Sequence, residues 1–267
     1  MISLLVRSAS QARYVLGGAF LLLWLFQIII VGQAAEIERS NAFGRMAELL
    51  PGFLQRGLGS RAMLLASFKG LVAFGYFHPV VCMLVTVVAM YLAVEVAHEV
   101  ESGLVDLELS RPVPRHRLVS RSVVLMAGAL AVAVLLMAAG TSLGMRFFGA
   151  SDLALPSAEV RAWMLLNLFA IGACFGAFAL LVATWSSRWT TALTLTVLTA
   201  VVLYSLDFLA IGWPPMRNIA WLSPFHYYPA LDVLAGDAPM GRNLGILFSS
   251  AVVMTAVAYW QFHRRDL

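Results

Sequence analysis

His98-Glu-Val-Glu-Ser-Gly-Leu-Val-Asp-Leu-Glu-Leu-Ser-Arg-Pro-Val-Pro-Arg-His-Arg-Leu-Val-Ser-Arg121 is the stretch on which the reading of this chain turns. Apolar runs of membrane length flank it closely on both sides. With Glu95 just ahead of it, the stretch gathers Glu99, Glu101, Asp106 and Glu108, then Arg111, Arg115, Arg117 and Arg121. Charge this dense between two apolar columns has to sit in water, so the columns must end there. Its first half, residues 99–109, reads as a short helix with Val100, Leu104, Leu107 and, less regularly, Leu109 on an apolar stripe beside the acids. Pro112 and Pro114 remove backbone donors and push Arg111 and Val113 toward extended conformations, so a turn should follow Ser110 before Leu118 resumes a helix. Such an element offers a soluble partner both apolar and ionic contacts. A solvated connector meets the same pattern, and on pattern alone that plainer reading carries more weight.

The rest of the chain explains why the flanking runs are membrane spans. Its 267 residues are 61% hydrophobic, with a mean hydropathy of +0.86, far too apolar for a soluble domain with one core. A spanning helix needs about 20 mostly apolar residues, and such runs fall at residues 14–32, 71–94, 123–144, 163–183, 190–211 and 244–260. The expectation is an all-α, polytopic membrane protein, one transmembrane domain over residues 1–267 with six transmembrane helices and both termini on one side. Arg7 and Arg13 precede the first run and Gly32-Gln33-Ala34 resembles a small-x-small cleavage site, but the run exceeds a usual signal core and reads as a retained helix. Residues 2–11 could lie in the membrane surface or trail as a tail. Cys82 and Cys174 fall inside spans, where they read as small apolar packers and not as a disulfide framework.

The net charge of +4 does not argue for nucleic acid, because the basic residues are scattered along span boundaries instead of forming one patch. They bear on orientation. Placing the termini inside divides the 18 basic residues evenly between the two sides. The inner set, however, sits in far less sequence, and the positive-inside rule is read over short loops. Density therefore places the termini, and the stretch from His98 to Arg121, in the cytoplasm.

Several further positions carry expectations. Met46, Leu49, Leu50, Phe53 and Leu54 are spaced for an amphipathic helix on the outer surface before the second span, interrupted or restarted at Pro51. His78, beside Pro79, reads as a boundary residue at the outer end of that span. Glu95 stands at its inner end, where ionisable groups face protein or water, and should pair with an Arg of the following loop. Gly140-x-x-x-Gly144 and Gly172-x-x-x-Gly176 offer close helix approach, within one subunit by default and between subunits as the alternative. The threonines of the fifth span could line a polar path, with Thr194 the candidate, or bond carbonyls one turn earlier. Trp213-Pro214-Pro215 breaks that span, and Trp221 to Pro229 begins a short helix ending near Gly236, its first turn suited to Ser223 and Pro224.

The segment Glu101-Ser-Gly-Leu-Val-Asp-Leu-Glu-Leu-Ser-Arg-Pro-Val-Pro-Arg115 resembles the cytoplasmic loop of membrane permeases of the type-2 ABC exporter class, where an acid and a Gly precede a Leu-Ser-x-Pro-Val-x-Arg run. Leu222-Ser-Pro-Phe-His-Tyr-Tyr228 before the last span and Arg264-Arg-Asp-Leu267 agree with it. The Thr or Glu usual after the Gly is replaced by Leu104 and Val105, and the first external segment is long. The resemblance implies a short cytoplasmic coupling helix between helices 2 and 3 that docks on an ABC ATPase through Glu99, Glu101, Gly103, Leu104, Asp106, Leu107, Glu108, Pro112 and Arg115. It implies two ATPase subunits holding ATP and Mg, a second permease subunit as homodimer or related heterodimer, membrane lipid around the complex, and a bacterial cytoplasmic (inner) membrane. It also implies short external helices before helices 2 and 6, with Pro224, Phe225 and Tyr228 near an exit.

Chemistry absent from the sequence bounds the alternatives. A P-loop needs Lys after a Gly-rich turn, and the only lysine, Lys69, sits in Leu-Ala-Ser-Phe-Lys-Gly. Any ATP-driven role thus needs a second polypeptide, and the chain is not expected to be an enzyme by itself. His98-Glu99 opens like a zinc-binding His-Glu-x-x-His, but Ser102 occupies the second His position. A permease subunit of an ATP-driven exporter is the leading reading. The alternative is a membrane anchor or receptor that holds a soluble enzyme and transports nothing.

Overall fold

A computed structural model describes residues 2–40, 67–103, 116–149 and 153–264. The described residues form helices and connecting turns, with six helical units long and apolar enough to cross a membrane. The amphipathic segment expected at 46–54 lies outside them.

Helix α1 (Ile2–Arg39) is continuous for 38 residues, about 57 Å at the rise of an α-helix and so longer than a bilayer core. Residues 2–11, expected as a surface element or a tail, are continuous with the spanning helix, with no break before Tyr14. The second span is three helices in line: α2 (Phe68–Phe77), α3 (Pro79–Ala93) and α4 (Glu95–Glu101). His78, with φ −55° and ψ 134°, leaves the helix, and Pro79 starts the next one as its first residue. The His78 ring packs on Phe26 and Phe74, with centroids 5.1 and 5.0 Å away, so this residue joins a hinge inside the bundle as well as marking a boundary.

The third to sixth spans are α5 (His116–Phe148), α6 (Ala158–Trp185), α7 (Trp189–Gly212) and α10 (Met240–Arg264). Between the last two lie α8 (Pro214–Arg217), two 3-10 turns (Ala220–Leu222 and Pro224–Tyr227) and α9 (Ala230–Ala235), which ends at Gly236 in the left-handed region, φ +83°. Glycine takes that conformation without the Cβ clash other residues meet. The short helix expected to begin at Trp221 and end near Gly236 is divided into two 3-10 turns and α9, the second turn starting at Pro224, and α9 ends at Gly236 as expected.

The bundle centres on α6, which is apolar around its circumference and buries Leu168, Ile171, Phe175 and Leu180. A helix without a polar face belongs in the interior, and α6 packs on α3, α5, α7 and α10. Helix α1 packs chiefly on α5 through Leu23, Gln27 and Val31. Both glycine pairs serve contacts inside this chain. A Cβ at Gly140 would lie 2.7 Å from the Trp24 carbonyl, and one at Gly144 would lie 2.8 Å from Val31. Gly172 and Gly176 face Leu130 and Met126 of α5, with Val85 and Ala89 of α3 beside them.

Contacts at the helix ends fix the up-down order. The backbone N–H of Phe68 donates to Glu38 Oε2 at 3.1 Å, and Arg39 Nη2 donates to the Phe148 carbonyl at 2.7 Å. The end of α1, the start of α2 and the end of α5 therefore share one face of the bundle. Tyr76 and Thr141 share a buried hydrogen bond of 2.5 Å just inside that face. The end of α4 and the start of α5 lie at the other face.

Candidate coupling site and membrane cavities

At the face where α4 ends and α5 begins, Arg121 Nη1 donates to Glu99 Oε1, forming an ion pair whose two side chains are 1% and 5% exposed. Val96 and Ala97 on α4 and Leu118 and Val119 on α5, a turn or less away in sequence, are fully buried. In such surroundings a lone charge is costly and the two groups hold each other. The second carboxylate oxygen of Glu99 and the Nε and Nη2 of Arg121 have no partner among the described residues. The pair joins the helices on either side of the loop that the sequence reading singled out.

Sequence reasoning placed the loop's ion-pair role on Glu95; the structure gives it to Glu99. The residues are one helical turn apart across the break at Val94: Glu99 meets Arg121 of α5, while Glu95 lines a pocket with Gln11, Tyr91, His98 and Trp189. Glu101 is also engaged within the chain: its Oε2 accepts the Trp189 backbone N–H at 2.8 Å. A carboxylate there satisfies one of the unpaired donors at the start of α7 and complements its dipole. Glu99 and Glu101 thus bind the second span to the third and the fifth.

The helix that the sequence reading carried from Glu99 to Leu109 stops at Glu101. Ser102 closes it by donating its N–H to His98 O, and Gly103 follows with φ +68°. Leu104, Asp106, Leu107, Glu108, Pro112 and Arg115 lie outside the described residues. Gly103 is therefore the pivot between a spanning helix and whatever follows, a role its left-handed backbone suits.

A second site lies at the opposite face. Asp207 near the end of α7 stands 3.7 Å from His226 Nδ1, and both border a cavity of about 410 Å³ with Phe77, Tyr204, Phe225 and Tyr228. Ser223 Oγ accepts the Phe225 N–H and thereby holds the turn. Phe225 is buried against Phe175 and Tyr204, at centroid distances of 5.1 and 5.2 Å. Burial pushes the pKa of the Tyr228 phenol up, and its hydroxyl has no partner among the described residues. Of the three residues expected there, Phe225 and Tyr228 line the cavity and Pro224 supports the turn. Asp207 and His226 were not singled out for this place; the signal available was only an acid one turn before a span end and a His among aromatics.

Thr194 is exposed on α7 and does not line the Asp207 cavity. Thr196, by contrast, is buried and donates to carbonyls of its own helix, Ala192 at 2.9 Å and Leu193 at 3.0 Å. Cys82 and Cys174 are buried free thiols.

Six helical units long and apolar enough to cross a membrane define a multi-pass helical membrane protein. A family model described as ABC-2 family transporter protein matches residues 42–267, and the chain belongs to that family. Comparison with curated proteins gives no match. Membership makes the chain a membrane transport component and implies association with ABC ATPase subunits.

Proposed function

We propose that this chain is the permease subunit of an ATP-driven exporter in a bacterial cytoplasmic membrane, working as a dimer with a second copy or a related chain. Two ATPase subunits dock on the cytoplasmic loop between the second and third spans and supply ATP and Mg at their own sites. The observation that carries this reading beyond family membership is the buried Glu99–Arg121 pair. It fastens α4 to α5 at the base of the loop, so that a push on residues 104–115 is passed to both spans together. Closure of the ATPases would then rock these spans and alternate the inner and outer openings, as differential affinity for the two states requires.

In this mechanism Asp106, Glu108 and Arg115 make ionic contacts with the ATPase, and Leu104 and Leu107 fill an apolar groove. Pro112 and Pro114 stiffen the return. Phe225 and Tyr228 stand at the outer opening. The test is the complex with Asp106→Lys and Glu108→Lys reconstituted in vesicles. Transport-linked ATPase activity should fall several-fold while the permease still folds; activity equal to the unmodified complex would sink the coupling assignment.

A further inference from the structure

Tyr91, Glu95 and His98 follow one another at i, i+4 and i+7, which puts them on one face of the helix across the slight break at Val94. That face looks onto Trp189 at the start of α7. The Trp189 ring meets Tyr91 edge-on at 6.2 Å and His98 at 6.3 Å. With Gln11 of α1 these residues enclose a pocket of about 240 Å³. Glu95 is half-buried and makes no direct ion pair among the described residues, while Arg121, His98 and Arg7 act on it electrostatically from a distance. Arg121, the nearest cation on the neighbouring span, is occupied by Glu99.

We propose that this pocket binds the ammonium head of an aminophospholipid. One carboxylate ringed by aromatic side chains is the composition that receives an organic ammonium ion, through charge and ring quadrupole together. A hard metal cation would want several oxygens at bonding distance, and the residues here offer one acid among rings. The pocket is smaller than the roughly 300–1,000 Å³ common for whole drug-sized ligands, which suits a head group with its chains outside. Apolar surface continues beside it: Tyr14 and Val15 on α1 and Leu195 on α7 are exposed, and both helices border the bundle's lipid-facing side. Trp189 and Tyr91 are also the residue types that settle at head-group depth. This site is at the opposite end of the bundle from the Asp207 cavity, and it does not depend on transport.

The experiment is native mass spectrometry of the full-length chain in detergent, loaded with phosphatidylethanolamine or with phosphatidylglycerol carrying the same acyl chains. The unmodified chain should retain the ethanolamine lipid about tenfold more strongly, the weight of one well-formed cation–aromatic and charge contact. Glu95→Gln and Trp189→Ala should each abolish the preference, and Trp189→Phe should keep most of it. The two positions lie on different spans, so a folding defect in one variant leaves the other decisive. Equal retention of both lipids by the unmodified chain, or an undiminished preference in a folded Glu95→Gln, would overturn the site. Displacement by equimolar glycerophosphoethanolamine would overturn its assignment to a lipid.

Discussion

A carboxylate and a guanidinium buried together, Glu99 with Arg121, are poor evidence of stability in themselves, because desolvating both offsets much of their attraction. What the pair provides is dependence of each group on the other. Arg121→Ala leaves Glu99 buried and uncompensated, and should cost about 3–5 kcal/mol. Replacing both, with Glu99→Leu and Arg121→Met, removes the charges together and should restore most of that loss. Thermal unfolding of the three variants in one detergent checks the order; equal destabilisation of the single and double variants would contradict it. The double variant should also separate stability from coupling, folding well while the ATPases drive it poorly. That Glu99 and not Glu95 takes this role was not legible in the sequence. Two acids one turn apart are equivalent until the path of α5 is known, and Arg121 is one of four arginines in the following block.

At the scale of elements, the small residues decide how near the columns come. The Trp24 carbonyl stands where a Cβ on Gly140 would need to be, 2.7 Å away, and backbone cannot swing aside as a side chain can. Gly140→Ala should therefore push α1 from α5 and lower stability by about 1–3 kcal/mol, the usual cost of overpacking. Gly128, on the same helix with nothing within 4 Å, is the control: alanine there should be neutral or stabilising by up to about 1 kcal/mol, from helix propensity. Unfolding curves of the two variants decide it, and equal behaviour would remove the close-approach argument. The spans themselves were legible, because a run of about 20 apolar residues has few other uses. Their ends were not. The sequence windows stop where polar residues begin, whereas α1 and α5 continue as helices through Arg39 and from His116. The break at Gly103 was missed for a related reason: Leu104 and Leu107 keep a helical apolar period with Val100, and period alone does not report the left-handed backbone at Gly103, while residues 104–109 lie outside the described residues.

For the whole molecule the unsettled quantity is which face looks inward, and charge gives only an indirect answer because the basic residues divide evenly. The geometry reduces the question to one choice. The turn between α6 and α7, residues 186–188, belongs with the α4–α5 face, whose Glu101 binds the Trp189 N–H. The segment from α8 to α9 belongs with the opposite face, where α7 ends and α10 begins. Either both assignments hold or both reverse. Ser187 and Asp237 are exposed on these two faces, and the native thiols are buried, so single introduced cysteines report cleanly. A membrane-impermeant maleimide added to intact cells should label Asp237→Cys at once and Ser187→Cys only after permeabilisation. The reverse pattern would put the loop after Gly103 outside, beyond the reach of any cytoplasmic ATPase. It would also leave the six-helix architecture untouched, so the measurement separates the fold from the function built on it.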